Sequence, residues 1–174
     1  MARKASRGAS PGFTLVEIVI SLVILGVVFT VGTLFFATML RGYTNARIAT
    51  EIGQVAEIAL DRMVFELKDA TGTGAGNTVT VVDNTSVQYE STNSTLTGTR
   101  MISFDGSDLN LSVDGASHLL LENVTAFSLD VTENDIDGNA ANGNEISTFN
   151  ISFTVLNYGG TFSAQVAPRS FVRK

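Results

Sequence analysis

Residues 12–40 read GFTLVEIVISLVILGVVFTVGTLFFATML, and the placement of this stretch decides the fold. From Ile18 to Leu40 there are 23 consecutive positions without a charge. A helix rising 1.5 Å per residue needs about 20 residues to cross a hydrocarbon core of ~30 Å, so the stretch is long enough to span a membrane. Ahead of it stands MARKASRGASP, which holds Arg3, Lys4 and Arg7 and no acidic residue. The positive-inside rule places that end in the cytoplasm and residues 41–174 on the far side of the membrane.

A secretory signal runs from a basic region through an apolar stretch to a small-residue cleavage site, so that the apolar stretch is discarded. Here no convincing A-x-A site follows the apolar run, no Cys is present to accept a lipid, and Arg3-Lys4 is not a twin-arginine pair. The apolar segment reads as one that is retained. Glu17 is the residue that a plain anchor leaves unexplained, because a carboxylate inside a spanning segment costs on the order of 2.5–3.5 kcal/mol at its centre and less near an end. Two uses are open to it: reaching back to the membrane interface, or pairing with a partner.

Gly12-Phe13-Thr14-Leu15-Val16-Glu17, after a short basic leader and before an apolar run, resembles the processing motif of type IV prepilins and type II secretion pseudopilins. Three features coincide: Gly before the cut, an apolar residue after it, and Glu at the fifth position of the mature chain. The resemblance implies a leader, residues 1–12, removed by a prepilin peptidase between Gly12 and Phe13, and methylation of the new Phe13 amine. It implies that Glu17 pairs with the N-terminal amine of a neighbouring subunit, which makes two costly charges tolerable together. The implied partners are the peptidase, other pilin or pseudopilin subunits, an inner-membrane assembly platform with its ATPase, and membrane lipid. The implied location is the bacterial inner membrane, then a filament.

Beyond residues 13–40, a helical pattern continues through Ile48, Ile52, Val55, Ala59, Met63 and Leu67, with Arg41, Arg47, Glu51, Glu57, Asp61, Arg62, Glu66 and Lys68 as its polar remainder. Gly72 and Gly74 mark its expected end after Ala70. A single helix over the 58 residues 13–70 is about 87 Å long, more than a bilayer requires, so its second half must pack elsewhere. A coiled-coil seam is the weaker alternative, since Ala and Gly interrupt the stripe. The pattern predicts strands at 78–82, 86–90, 101–104, 109–113, 118–122, 125–131, 147–155 and 161–166. Asp105-Gly106 and Asp114-Gly115 predict hairpin turns. The expected fold is α+β and pilin-like: a long N-terminal helix, apolar then amphipathic, packed on one antiparallel sheet. The extracytoplasmic head is residues 41–174, with an amphipathic helix at 41–70 and a β-rich part at 71–174.

Further local likenesses bear on the subtype. Ala59-Leu60-Asp61-Arg62-Met63, the stretch 121–127 and the ending Val166-Ala167-Pro168-Arg169 are similar to minor pilins and minor pseudopilins of the J type. Major pilins often carry Pro in the first helix; Leu34 occupies the comparable position here, with Gly26 and Gly32 nearby as alternative points of local melting. Both features point to a minor subunit.

Composition removes other classes. The absence of Cys excludes disulfides, Cys-ligated metals and thiol nucleophiles, and the single His118 excludes a His pair. Loss of the leader would take the net charge from -6 to -9. Residues 71–174 hold four basic against eleven acidic residues, a balance unsuited to non-specific nucleic-acid binding. No G-x-S-x-G elbow or ordered triad accompanies His118, and a strand-edge His is the simpler reading. No enzyme is indicated. Tyr43, Tyr89 and Tyr158 are assigned to packing. The Asn-x-Ser/Thr matches at Asn84, Asn93 and Asn123 carry little weight.

Only the stretch from Glu133 to Glu145 suggests a ligand. Asp135, Asp137 and Asn139 offer oxygens at alternate positions, a pattern able to hold calcium, although the EF-hand template fails at Ala140 and Asn144. A solvated hairpin loop is the simpler account, and no other cofactor is expected. The leading reading is a filament subunit; the alternative is a single-pass anchored binding or sensor domain.

Overall fold

The computed structural model describes residues 12–72, 78–139, 143–170 and 172–174. Most of the leader and Gly74 lie outside the described residues. One helix, α1, runs Leu15–Lys68, and the strands follow as β1 Ala70–Thr71, β2 Thr80–Val82, β3 Ser86–Ser91, β4 Arg100–Phe104, β5 Leu109–Val113, β6 Ala116–Leu121, β7 Val124–Asn134, β8 Glu145–Val155 and β9 Thr161–Val166. The residues up to Arg47 and those from Ile48 onward form two compact units.

In the first unit, α1 begins after Thr14, whose carbonyl accepts from the Ile18 N–H at 3.2 Å and whose Oγ1 accepts from the Glu17 N–H at 3.3 Å. The first of these is the opening i→i−4 bond of the helix, and the second satisfies an orphan donor of its first turn. Thr30, Thr33 and Thr38 turn their hydroxyls onto the carbonyls of Gly26, Phe29 and Leu34, which leaves an apolar outer surface. Every residue from Gly12 to Ile48 is exposed in the isolated chain.

In the second unit, Ala56, Ala59, Met63 and Leu67 of α1 share one core with residues of both sheets, among them Tyr89, Ile102, Leu109, Leu129, Phe149, Ile151 and Phe153. The predicted stripe therefore needs correction: Ile48 and Val55 are exposed, while Ala56 and Glu66 are buried. At about 100° per residue the buried face is centred on the run 56-59-63-67, and Val55 lies to one side of it. The small side chains of Ala56 and Ala59 are buried within that core.

The helix ends at Lys68, two residues before the expected stop. No glycine cap ends it; Ala70 and Thr71 leave to pair with Ser91 and Glu90 of β3. The Lys68 carbonyl accepts from the Arg169 N–H, and the Asp69 carbonyl from the Thr92 N–H, both at 2.9 Å.

The β-rich part forms two antiparallel sheets rather than one. The first has the order β1-β3-β4-β5-β6, with β2 also on β3; the second is β7-β8-β9. Asn123 causes the break. Its φ of 60° is left-handed, its N–H donates to the Asp108 carboxylate at 3.2 Å, and the next N–H, from Val124, donates to the Ser107 carbonyl at 2.7 Å. The chain is thereby tied to the β4–β5 turn instead of folding back along β6. The β5–β6 connection is the expected two-residue turn, with Asp114 and Gly115 at φ 50° and 84°, the geometry that matches the twist of a hairpin.

The C-terminal segment joins these parts. The Val172 carbonyl accepts from Ile146 N–H at 2.6 Å and the Arg173 carbonyl from Val79 N–H at 2.7 Å, linking β8 to the start of β2. Ser170 Oγ donates to the Ala70 carbonyl at 2.7 Å, and Arg169 pairs with Asp69 at 2.9 Å.

Candidate functional site

Gly12 and Phe13 stand ahead of the helix, outside its hydrogen-bonded ladder, and Phe13 is 78% exposed. A Cβ placed on Gly12 would meet nothing within 4 Å, so the fold of this chain does not require glycine there. Any demand for Gly at this position must come from a molecule that reads it. Glu17 lies three residues after the capping Thr14 and is exposed. A carboxylate in a first turn is favoured by the positive end of the helix dipole, which also disfavours an amine placed there. Thr14 and Glu17 have the T-x-x-E spacing of a capping box, a signal legible in the sequence.

The acidic loop is organised differently from a calcium loop. Asp135, Asp137 and Glu145 bring one oxygen each within 4.8 Å of one another. The Asn139 N–H donates to Asp137 Oδ1 at 2.8 Å. Into this group comes the Arg173 guanidinium, 2.7 Å from Glu145 Oε1 and 3.4 Å from Asp137 Oδ2. The other oxygen of Glu145 accepts from the Ile136 and Asp137 N–H groups at 3.0 and 3.4 Å. These amides and the guanidinium hold the Glu145 carboxyl below its ordinary range. A calcium site needs six to eight oxygens around the ion; here an arginine supplies the positive charge and both Glu145 oxygens have protein donors. Arg173 lies 28 residues from Glu145 in sequence, so no local pattern reveals it.

A second charged cluster lies beneath the helix. Glu66 is fully buried although its charge suggests the polar face. It follows Ala59 and Met63 at helical spacing, and that periodicity is the signal that charge obscured. Arg100 of β4 grips it with Nε and Nη2 at 2.6 and 2.7 Å. Tyr89 donates its hydroxyl at 3.0 Å, and Arg62 approaches from the helix surface at 2.5 Å. Burial, and then the neighbouring Glu66 charge, push the Tyr89 hydroxyl pKa far up; the hydrogen bond to Glu66 raises that of Arg100. With all its partners present, this cluster fits a structural tie between α1 and the sheet.

His118 is exposed on β6, opposite Leu111, as expected of a strand-edge residue. Of the tyrosines, Tyr89 is buried and Tyr158 packs on Phe162 at a centroid distance of 4.7 Å, whereas Tyr43, also assigned to packing, is 68% exposed.

A family model described as the prokaryotic N-terminal methylation motif matches residues 8–33. The motif marks type IV pilin- and pseudopilin-like proteins, which are prepilin peptidase substrates and assemble with other pilin subunits. The match takes in Gly12, Phe13 and the first part of α1. Within the described residues α1 is long and apolar enough to cross a membrane, and with the antiparallel sheets it makes the α+β architecture of a pilin-like protein. No curated protein and no solved structure matches the chain significantly.

Proposed function

We propose that this chain is a structural subunit, without catalytic activity, of a type IV pilus or type II secretion pseudopilus. A prepilin peptidase cuts it between Gly12 and Phe13, and the new Phe13 amine is methylated. Residues 13–40 anchor it in the bacterial inner membrane with the N-terminus cytoplasmic and the head, residues 41–174, outside; they then enter the filament core. Assembly uses the inner-membrane platform and its ATPase. Glu17 pairs with the amine of a neighbouring subunit once both leave the aqueous interface. Leu34, at the position where major pilins often have Pro, supports a minor role.

The observation that carries this reading is the coincidence at one place of the methylation motif, a Gly12–Phe13 bond standing clear of the helix, and an apolar first part of α1, exposed as far as Ile48, that needs an external environment. Mass spectrometry of the mature protein from cells containing the peptidase should find an N-terminal methylated Phe13. Retention of residues 1–12 there would overturn the reading. Replacement of Glu17 by Ala should leave membrane insertion intact and reduce filament incorporation at least tenfold; an anchored binding or sensor domain would be indifferent to that change.

A further inference from the structure

Strand β6, Ala116-Ser117-His118-Leu119-Leu120-Leu121, ends the first sheet: it pairs with β5 on one side only, and after Asn123 the chain leaves for the second sheet. Its first four residues are all exposed, Leu119 by 59%. The two-residue turn at Asp114 and Gly115 makes Val113 and Ala116 a hydrogen-bonded pair. Alternation along the antiparallel ladder then turns the N–H and C=O of His118 toward β5 and those of Ser117 and Leu119 away from it. Four main-chain groups face outward along this edge, with an uncovered leucine beside them.

Edge strands are ordinarily kept short, covered, or interrupted by Lys or Pro. Elsewhere in this head they are managed in such ways. β1 and β2 are two and three residues long. The Leu129 N–H of β7 is taken by the Asn84 carbonyl, and β9 exposes only Thr161, Ser163 and Gln165. β6 has six residues, no charge, no Pro and an exposed large apolar side chain.

We infer that β6 takes up an extended segment of a different chain, which adds to the sheet as a further strand, sets an apolar side chain against Leu119 and carries Lys or Arg near its ends. The charge follows from the surroundings. Asp114 precedes the strand and Glu122 directly follows it, and between Arg100 and Arg169 the chain has nine acidic residues and no basic one. A second copy does not meet this requirement. Arg100 is the only basic residue within the described strands, and it is 5% exposed. Pairing β6 with β6 in parallel sets Glu122 beside Glu122, and pairing it antiparallel sets Glu122 toward the Asp114 end, so like charges oppose both arrangements. The contact goes beyond the filament reading and does not depend on it, although a minor subunit is one that meets chains unlike itself.

The probe is a short dye-labelled peptide of alternating Val and Thr with Lys at both ends, titrated into the detergent-solubilised full chain beside the same peptide ended by Glu. The Lys peptide should bind about tenfold more tightly. It should slow amide exchange at Ser117 and Leu119 severalfold and leave His118, which the ladder pairs with Leu111, as it was. Ser117→Pro removes an outward N–H and no bond to β5, so circular dichroism should stay that of the wild type while peptide binding falls about tenfold. Leu119→Lys, which keeps every backbone group, should weaken the Lys peptide at least about threefold, and Glu122→Lys should narrow its advantage over the Glu peptide. Absent binding, equal binding of the two peptides, protection at other amides only, or full binding by Leu119→Lys or by a folded Ser117→Pro each overturn the proposal. A free chain of doubled mass that Leu119→Lys returns to single mass would make the occupant a second copy and overturn the different-chain assignment. None of these outcomes bears on cleavage at Gly12, which the mature N-terminus tests separately.

Discussion

Glu66 shows how a single residue can be legible in type and misleading in place. Its charge assigns it to the solvent, yet it is wholly buried and Arg100 is 5% exposed. Removing one member of such a pair strands the other, at a cost of about 3–5 kcal/mol, whereas replacing both with apolar residues of similar volume is often nearly neutral. Glu66→Ala should therefore sharply lower the thermal melting temperature of the detergent-solubilised mature chain, and Glu66→Met combined with Arg100→Met should recover most of the loss. If the double variant melts as low as the single one, the tie is not an isolated charge pair. Gly12 illustrates the converse: a Cβ there meets nothing within 4 Å, so Gly12→Val should leave circular dichroism unchanged, and a change in the N-terminus of the mature protein would follow only from the proposed cleavage.

Among the elements, the β7–β8 hairpin and the C-terminal segment depend on one another. Two 11-residue strands carry a loop whose near side is gathered by Glu145, and Glu145 is gripped by Arg173 from the far end of the chain. Arg173→Gln should speed proteolysis within residues 133–145 severalfold and raise amide exchange at Ile136 and Asp137, whose N–H groups donate to Glu145. The wild-type melting temperature should not respond to a chelator, because the guanidinium already supplies the positive charge among the carboxylates. A chelator-induced fall of several degrees would restore calcium to the loop. The alternation of β8 was readable in advance: Phe149, Ile151, Phe153 and Val155 are all buried as period two requires. The clamp on its loop was not, since it joins residues far apart in sequence.

For the whole molecule, pH couples these sites to stability. Glu145 and Asp105 both have carboxyl pKa values held below their ordinary ones, Glu145 chiefly by the Ile136 amide and Asp105 chiefly by that of Asp108. Groups lowered on folding contribute stability that is present above their unfolded values, 4.5 and 3.8, and lost as pH falls through the folded ones. Tyr89 acts in the opposite direction. Its raised pKa gives stability that is present below its unfolded value of 10.0 and fades as pH rises toward the folded one, because the unfolded chain releases that proton first. The melting temperature should be level through neutral pH, decline below about pH 4 and decline again above about pH 10. Tyr89→Phe should flatten the alkaline limb, and Arg173→Gln should blunt the acid one. An unchanged alkaline limb in Tyr89→Phe would mean that another group governs it.

By itself the sequence determined the long apolar helix, the methylation-motif match that includes Gly12 and Phe13, the amphipathic continuation and most strand positions. These rest on composition and on periods of 3.6 and 2, which are local properties of the chain. Only the tertiary structure decided that there are two sheets, that Val55 faces solvent while Glu66 does not, and that Arg173 fills the charge of the acidic loop. Asn123 makes the first of these decisions through a left-handed turn held by Asp108, and the angular position of the helix on its sheets makes the second. The third is a pairing across 28 residues. Each depends on which distant groups meet when the core closes, and that choice is made by packing rather than by pattern.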